Sequence, residues 1–191
     1  MSLSRRVLAR ILWAVTVAGF VAACSVPTTY RWEWQEWDPS KLGYAAGKGA
    51  ILTDIRGNPF NQPKEQVDAA ITEAMFGAHF GPDVPFVTEE PQDYNSPYRV
   101  LIVFDPDVSL TPEKLCAEDP KPGERSEGVI KVVAAFCAQD IHETSVWGSV
   151  GQTSGPESEE FQSLVKIMTN QLFPRQNPNE RDNDNIWIIG G

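Results

Sequence analysis

The side chains that could perform catalysis or bind a metal are few and widely spaced in this sequence. The chain has three cysteines, Cys24, Cys116 and Cys137, and two histidines, His79 and His142. A hydrolase with an activated serine would need a nucleophile turn such as Gly-x-Ser-x-Gly, which the sequence lacks. It also lacks a glycine-rich phosphate loop and a complete calcium loop. We therefore predict no catalytic residue, no metal site and no cofactor, and we do not expect an enzyme.

Cys24 follows a segment with the features of an export signal. Arg5, Arg6 and Arg10 form a basic start, and an apolar run extends over residues 11–23. That run has 13 residues (11 to 23 inclusive), whereas a membrane-spanning helix needs about 20. A basic start, a short apolar stretch and small residues before a cleavage site are typical of a secretory signal peptide. The Arg5-Arg6 pair also fits a twin-arginine export signal, and that alternative stays open.

The four residues Val21-Ala22-Ala23-Cys24 resemble the lipobox of bacterial lipoproteins, which reads aliphatic, small, small, cysteine. The resemblance covers residues 1–24. It implies that residues 1–23 are removed as a signal peptide and that Cys24 is acylated on its sulfur and on its new amine. Because Ser25 follows instead of aspartate, it also implies the outer membrane, facing the periplasm. An ordinary signal peptide that leaves Cys24 unlipidated is the alternative.

The charge of the remaining 168 residues (191 minus 23) is strongly negative. The whole chain has a formal charge of −10, and its first 23 residues hold three arginines and no acid, which leaves −13 for the rest. Such an excess of acid argues against nucleic acid as a partner. The length suits one domain.

Cys116 and Cys137 are the two cysteines that remain once lipid has consumed Cys24. An even number of cysteines in an oxidising compartment favours a disulfide. A metal-binding pair is the alternative, but two cysteines 21 positions apart (137 minus 116), with no histidine motif nearby, are a weak pattern for zinc. We predict the disulfide.

Residues 24–43 are predicted to be a lipidated tether and an aromatic segment. Tyr30, Trp32 and Trp34 alternate with polar residues, and Trp37 follows them. The alternation predicts an edge strand that lays aromatic rings on the core. The same segment, through Trp32, Trp34 and Trp37, is alternatively a patch that binds a partner.

Residues 174–191 are predicted to be a flexible polar tail with an apolar end. The apolar end consists of Ile186, Trp187, Ile188 and Ile189. It either returns to its own domain as an edge strand or adds a strand to a sheet in another protein. In the second case these four residues bind the partner.

Residues 44–173 are predicted to form one α+β periplasmic domain. Strands are indicated at residues 50–56, 84–88, 98–104, 129–137 and 144–150, with the strand at 98–104 in the centre of the sheet. Helices follow Pro63 and Pro156, each with one apolar stripe. Residues 108–127 read as a surface excursion. The expected architecture is a small two-layer sandwich, with two helices on one face of a mostly antiparallel sheet.

The strand that contains Trp147-Gly148 and the later helix that ends at Leu172-Phe173-Pro174 are similar to uncharacterised envelope lipoproteins of Gram-negative bacteria. They also loosely resemble the auxiliary lipoproteins of lipid-trafficking ABC systems. We therefore expect a lipid-anchored, non-catalytic module that binds or scaffolds a protein partner in the envelope. The alternative is an accessory lipoprotein of a lipid-trafficking transport system, which needs an apolar groove between the helices and the sheet.

Overall fold

A computed structural model describes residues 26–34 and 37–176, with the backbone alone at residues 32–34. The described residues form six strands: β1 (Thr28–Trp34), β2 (Ile51–Arg56), β3 (Phe86–Val87), β4 (Tyr98–Phe104), β5 (Val129–Ala138) and β6 (Ile141–Gly151). They also form four helices: α1 (Pro39–Ala46), α2 (Lys64–Met75), α3 (Pro112–Ala117) and α4 (Glu159–Leu172). The predicted α+β class is confirmed. None of these helices is long and apolar enough to cross a bilayer.

The strands form one mixed sheet in the order β1-β6-β5-β4-β2-β3. From β1 to β4 the neighbours are antiparallel, whereas β4, β2 and β3 pair in parallel. The expectation of a mostly antiparallel sheet is therefore wrong. Helix α2 carries the chain from the end of β2 back to the side where β2 began, so β4 enters the sheet in the same direction as β2.

Helices α1, α2 and α4 contribute to the core on one face of the sheet. The apolar stripes predicted for the two longer helices are confirmed, since the buried residues of α2 and α4 recur at helical spacing. At Gly148 of β6, an added Cβ would lie 2.4 Å from Met168 Sδ of α4. Glycine at this position is what allows α4 to lie so near β6.

The opposite face of the sheet is also covered, so the expectation of two layers with two helices is wrong. Leu101 and Val103 of β4 form a second core with Leu110 and Leu115, which lie before and within α3. Residues 108–127 were predicted to be a surface excursion, and α3 was not predicted. A helix of six residues among prolines and charged residues is too short to show a clear apolar periodicity. Strand β4 is buried on both faces, which confirms its predicted central position.

Cys116 and Cys137 form the predicted disulfide between α3 and β5. Their Cα atoms are 5.7 Å apart, and the two residues are 1% and 0% exposed. The bond fastens the thin second layer to the centre of the sheet.

Helix α1 lies in the segment that was predicted to be tether and aromatic patch. Asp38 caps it by accepting a hydrogen bond from the Ser40 amide at 2.8 Å, and Pro39 occupies the first turn, where its missing N–H costs nothing. Leu42 and Ala45 are buried against the main core. Within the described residues, α1 is therefore packed on the same core as the residues from 44 onward.

Candidate interaction surface at the β1 edge

Strand β1 forms one edge of the sheet, as the edge-strand interpretation predicted. Among the described residues it pairs with β6 only, from Thr28 opposite Ser149 to Trp34 opposite Thr144. The register shifts between Arg31 and Trp34, which indicates a bulge. On its outer side β1 has no neighbouring strand within the described part of the chain, so this edge is a place where an extended peptide can pair.

The side chains of β1 alternate between the two faces of the sheet, as a strand requires. Tyr30 is 52% exposed and stacks on Trp147, with ring centroids 6.1 Å apart. Trp147 in turn packs against the second core, beside the α3 layer. Arg31 instead lines a cleft beside the end of α4. A strand added to β1 would therefore meet an aromatic surface on one face and a cationic one on the other.

Trp37 is placed differently from the prediction, which assigned it to a partner-binding patch. It is 2% exposed, and its ring lies 6.0 Å from Phe136 and 6.1 Å from Phe173. Its indole N–H donates a hydrogen bond to the carbonyl oxygen of Pro174 at 2.7 Å. The assignment is wrong for Trp37, which instead connects the start of the domain to the residues after α4.

The cleft beside β1 has a volume of about 850 Å³. Its described lining combines Arg31 with residues 77–80, Asn170 and residues 173–176. The Arg175 guanidinium lies 4.2 Å from the centre of the Phe80 ring, a cation–π contact that holds it at the cleft. The cleft thus has two arginines, in a chain whose formal charge is −10.

His79 forms part of the cleft wall but is mostly buried. Its ring lies 5.6 Å from both Phe86 and Phe173, and Nδ1 is 3.4 Å from the carbonyl oxygen of Phe80. Burial lowers the pKa of His79, against the opposing effects of the Phe80 carbonyl and Asp83. The ring is therefore neutral near pH 7 and acts as one more member of an aromatic cluster.

Polar contacts fix the strand next to β1. Glu143 of β6 is 4% exposed, and its Oε2 accepts a hydrogen bond from Lys41 Nζ of α1 at 2.5 Å. Thr144 Oγ1 donates to the carbonyl oxygen of Leu172 at 2.7 Å. These contacts hold α1 and the end of α4 against β6, so β1 pairs with a firmly placed neighbour.

The second histidine lies away from this surface. His142 of β6 is 5% exposed, and burial lowers its pKa, opposed by the Glu113 carboxylate of α3. Ser145, further along β6, is 0% exposed, which keeps its hydroxyl out of reach of a substrate. Within residues 26–34 and 37–176, no group of three or more His, Cys, Asp or Glu side chains could hold a metal ion.

The space between the sheet and the helices is very small. The cavity there, lined by residues such as Ile102, Phe161 and Met168, measures about 20 Å³. About 10–15 Å³ of such space is enough for one water molecule, so this cavity has room for about one. The described residues therefore leave no groove in this layer for an acyl chain, which the lipid-trafficking alternative needs.

Several predicted residues lie wholly or partly outside the described part of the chain. Cys24 and the four residues Ile186, Trp187, Ile188 and Ile189 are outside it, and of Trp32 and Trp34 the backbone alone is described, within β1. Their roles in lipidation and partner binding stay predictions. Sequence reasoning missed Arg31, Phe80 and Arg175, which the fold brings together from three distant segments and which share no local pattern.

Comparisons with known proteins add little to this description. No protein-family model matches the chain, and no curated protein matches it. The solved structures that align with it include two PelC dodecamers from Paraburkholderia phytofirmans. The first, a variant with one substitution, is 11% identical over 79% of this chain and 100% of its own, with a TM-score of 0.40. The second is 9% identical over 77% and 94%, with a TM-score of 0.37. Values this low transfer no property to this chain.

Proposed function

We propose that this chain is a lipid-anchored protein of the cell envelope and that its domain is a non-catalytic module that binds another protein. The proposed binding site is the outer side of β1. The observation that supports it is the position of β1, an edge strand without an outer neighbour among the described residues. An open strand edge binds an extended peptide through main-chain hydrogen bonds, while neighbouring side chains select the sequence.

The rest of the sheet supports the same site by elimination. The free N–H and C=O groups of a sheet point outward in its own plane, so new hydrogen bonds between strands can form only at its two edges. The opposite edge is β3, which has two residues. Seven residues in β1 offer a longer ladder and a correspondingly stronger site.

The lipobox supports a location next to a membrane. Thr28, the first residue of β1, is four positions after Cys24 (28 minus 24). Four extended residues span at most about 14 Å. Acylation of Cys24 would therefore hold the β1 edge close to the bilayer surface, where it would meet other envelope proteins. Replacing Cys24 by alanine should release the protein from the membrane fraction and remove the acyl mass.

Site-specific photocrosslinking in intact cells tests the binding site. A photoreactive amino acid at position 30, where Tyr30 is half exposed, should capture a protein. The matched control is position 108, where Val108 is fully exposed in the loop between β4 and α3. Capture at position 30 and not at 108 supports the proposal. Equal capture at both positions, or none at position 30, would contradict it.

A further inference from the structure

We propose that the β1 edge accepts the apolar end of the tail, residues 186–189, from a second copy of this chain. The inference rests on the proposed function, because it names the partner that occupies the same edge. It makes the domain both a donor and an acceptor of a strand, and it assigns the tail to an assembly contact between copies.

The first support is the place where the tail leaves the domain. Trp37 donates its hydrogen bond to Pro174, and Arg175 lies on the Phe80 ring. Gln176, the last described residue, lines the same cleft as Arg31 of β1. The tail therefore starts beside the β1 edge.

The second support is the spacing within the tail. The connector, residues 177–185, has nine residues (177 to 185 inclusive) and contains no apolar side chain other than Pro178. A tail that ran directly along its own β1 from Arg31 would pass Thr28 within about four residues, at about 3.3 Å per residue. The residues that lie along β1 would then be polar, and the apolar end would lie beyond Thr28, past the end of the strand. Ten extended residues from Gln176 span up to about 36 Å, which reaches a neighbouring copy.

The third support is the chemistry of the tail. Ile186, Trp187, Ile188 and Ile189 are β-branched or aromatic residues, which favour a strand. The connector holds three acids, Glu180, Asp182 and Asp184, and one base, Arg181.

Disulfide trapping between two differently tagged full-length chains tests the inference. One chain has Tyr30→Cys and the other has Ile188→Cys, and both are expressed in the same cells and then mildly oxidised. We expect a product that contains both tags. Mass spectrometry should identify in it two peptides that are joined by a disulfide between positions 30 and 188. Val108→Cys in place of Tyr30→Cys is the matched control and should give no such product. Ile188→Asp should abolish the copy-to-copy association measured by light scattering.

Four other outcomes would overturn the inference. In a single chain with both Tyr30→Cys and Ile188→Cys, a link between positions 30 and 188, with none between the two tagged chains, would mean that the tail covers its own edge. A copy-to-copy link as strong from position 108 would mean a non-specific contact. Capture of a different envelope protein by the photoreactive group at position 30, without any link to position 188, would overturn this inference and leave the proposed function standing. Absence of all capture at position 30 would overturn both.

Discussion

Replacing Cys116 and Cys137 together by alanine is expected to lower the free energy of unfolding by about 3 kcal/mol. The bond joins residues 21 positions apart, and the chain-entropy relation for such a loop gives about 11 cal/mol/K, or about 3.3 kcal/mol at 25 °C. Both cysteines are buried, so the space left by their sulfur atoms adds a smaller loss of packing. For a domain of about 150 residues this corresponds to a decrease in Tm of about 7–13 °C.

Urea and thermal denaturation followed by circular dichroism would measure this loss. Both the parent and the double variant should also have Cys24→Ala, so that neither lipid nor a third thiol affects the comparison. The urea m-value should rise in the double variant, because an unfolded chain without the bond exposes more surface. A double variant within about 0.5 kcal/mol of its parent, with an unchanged m-value, would refute the loop-entropy reasoning.

Three further predictions concern the packing around β6 and the cleft. Gly148→Ala should cost about 1–3 kcal/mol, because the new Cβ overlaps Met168. His79 has a pKa lowered by burial, so the unfolded chain binds a proton that the folded chain excludes. Stability should be full above about pH 6.5 and should fall as the pH drops below it, and His79→Phe should reduce that fall. Trp37→Phe should cost about 1–3 kcal/mol in urea denaturation, because the Pro174 carbonyl loses its donor and the ring becomes smaller.

Each of these three has an internal control. Gly43→Ala places a Cβ in open space on α1 and should stabilise the protein by about 0.5–1 kcal/mol, as alanine does in a helix. Similar effects at Gly148 and Gly43 would contradict the overlap argument. His142, also with a lowered pKa, should leave a residual pH dependence in His79→Phe. Tyr44, half exposed, should tolerate phenylalanine, and an equal loss there would remove the special role assigned to Trp37.

The elements that the sequence predicted well are those whose signal is local. Helices α2 and α4 each have a stripe long enough to read, and β4 is a continuous apolar run that fits the centre of a sheet. Helices α1 and α3 have eight and six residues, too few for a clear period. The parallel pairing of β2 and β4 depends on the direction in which a crossover returns the chain, which periodicity does not encode.

The candidate surface was harder to predict because its parts are far apart in the sequence. Trp37 lies among charged residues that suggest exposure, yet its hydrogen-bond partner Pro174 is 137 positions away. The cleft joins Arg31 to residues 77–80 and 173–176. Side chains brought together by tertiary packing alone leave no spacing for a sequence pattern to detect. The edge position of β1 could be predicted, because alternating aromatic and polar residues are typical of a strand with one face buried.

The pairing of β1 with β6 also determines how the domain would respond to mechanical load. Tension applied through the chain ahead of β1 would reach the sheet at the pair Thr28 and Ser149, at the start of β1. When an edge strand is pulled from its end, its hydrogen bonds break one after another. Because each hydrogen bond then carries the load alone, β1 would separate from β6 at low force. The next resistance would come from the Trp37 contact with Pro174 and the Lys41–Glu143 ion pair. A tether under tension would thus unfasten β1 first and leave the remaining five-stranded core intact.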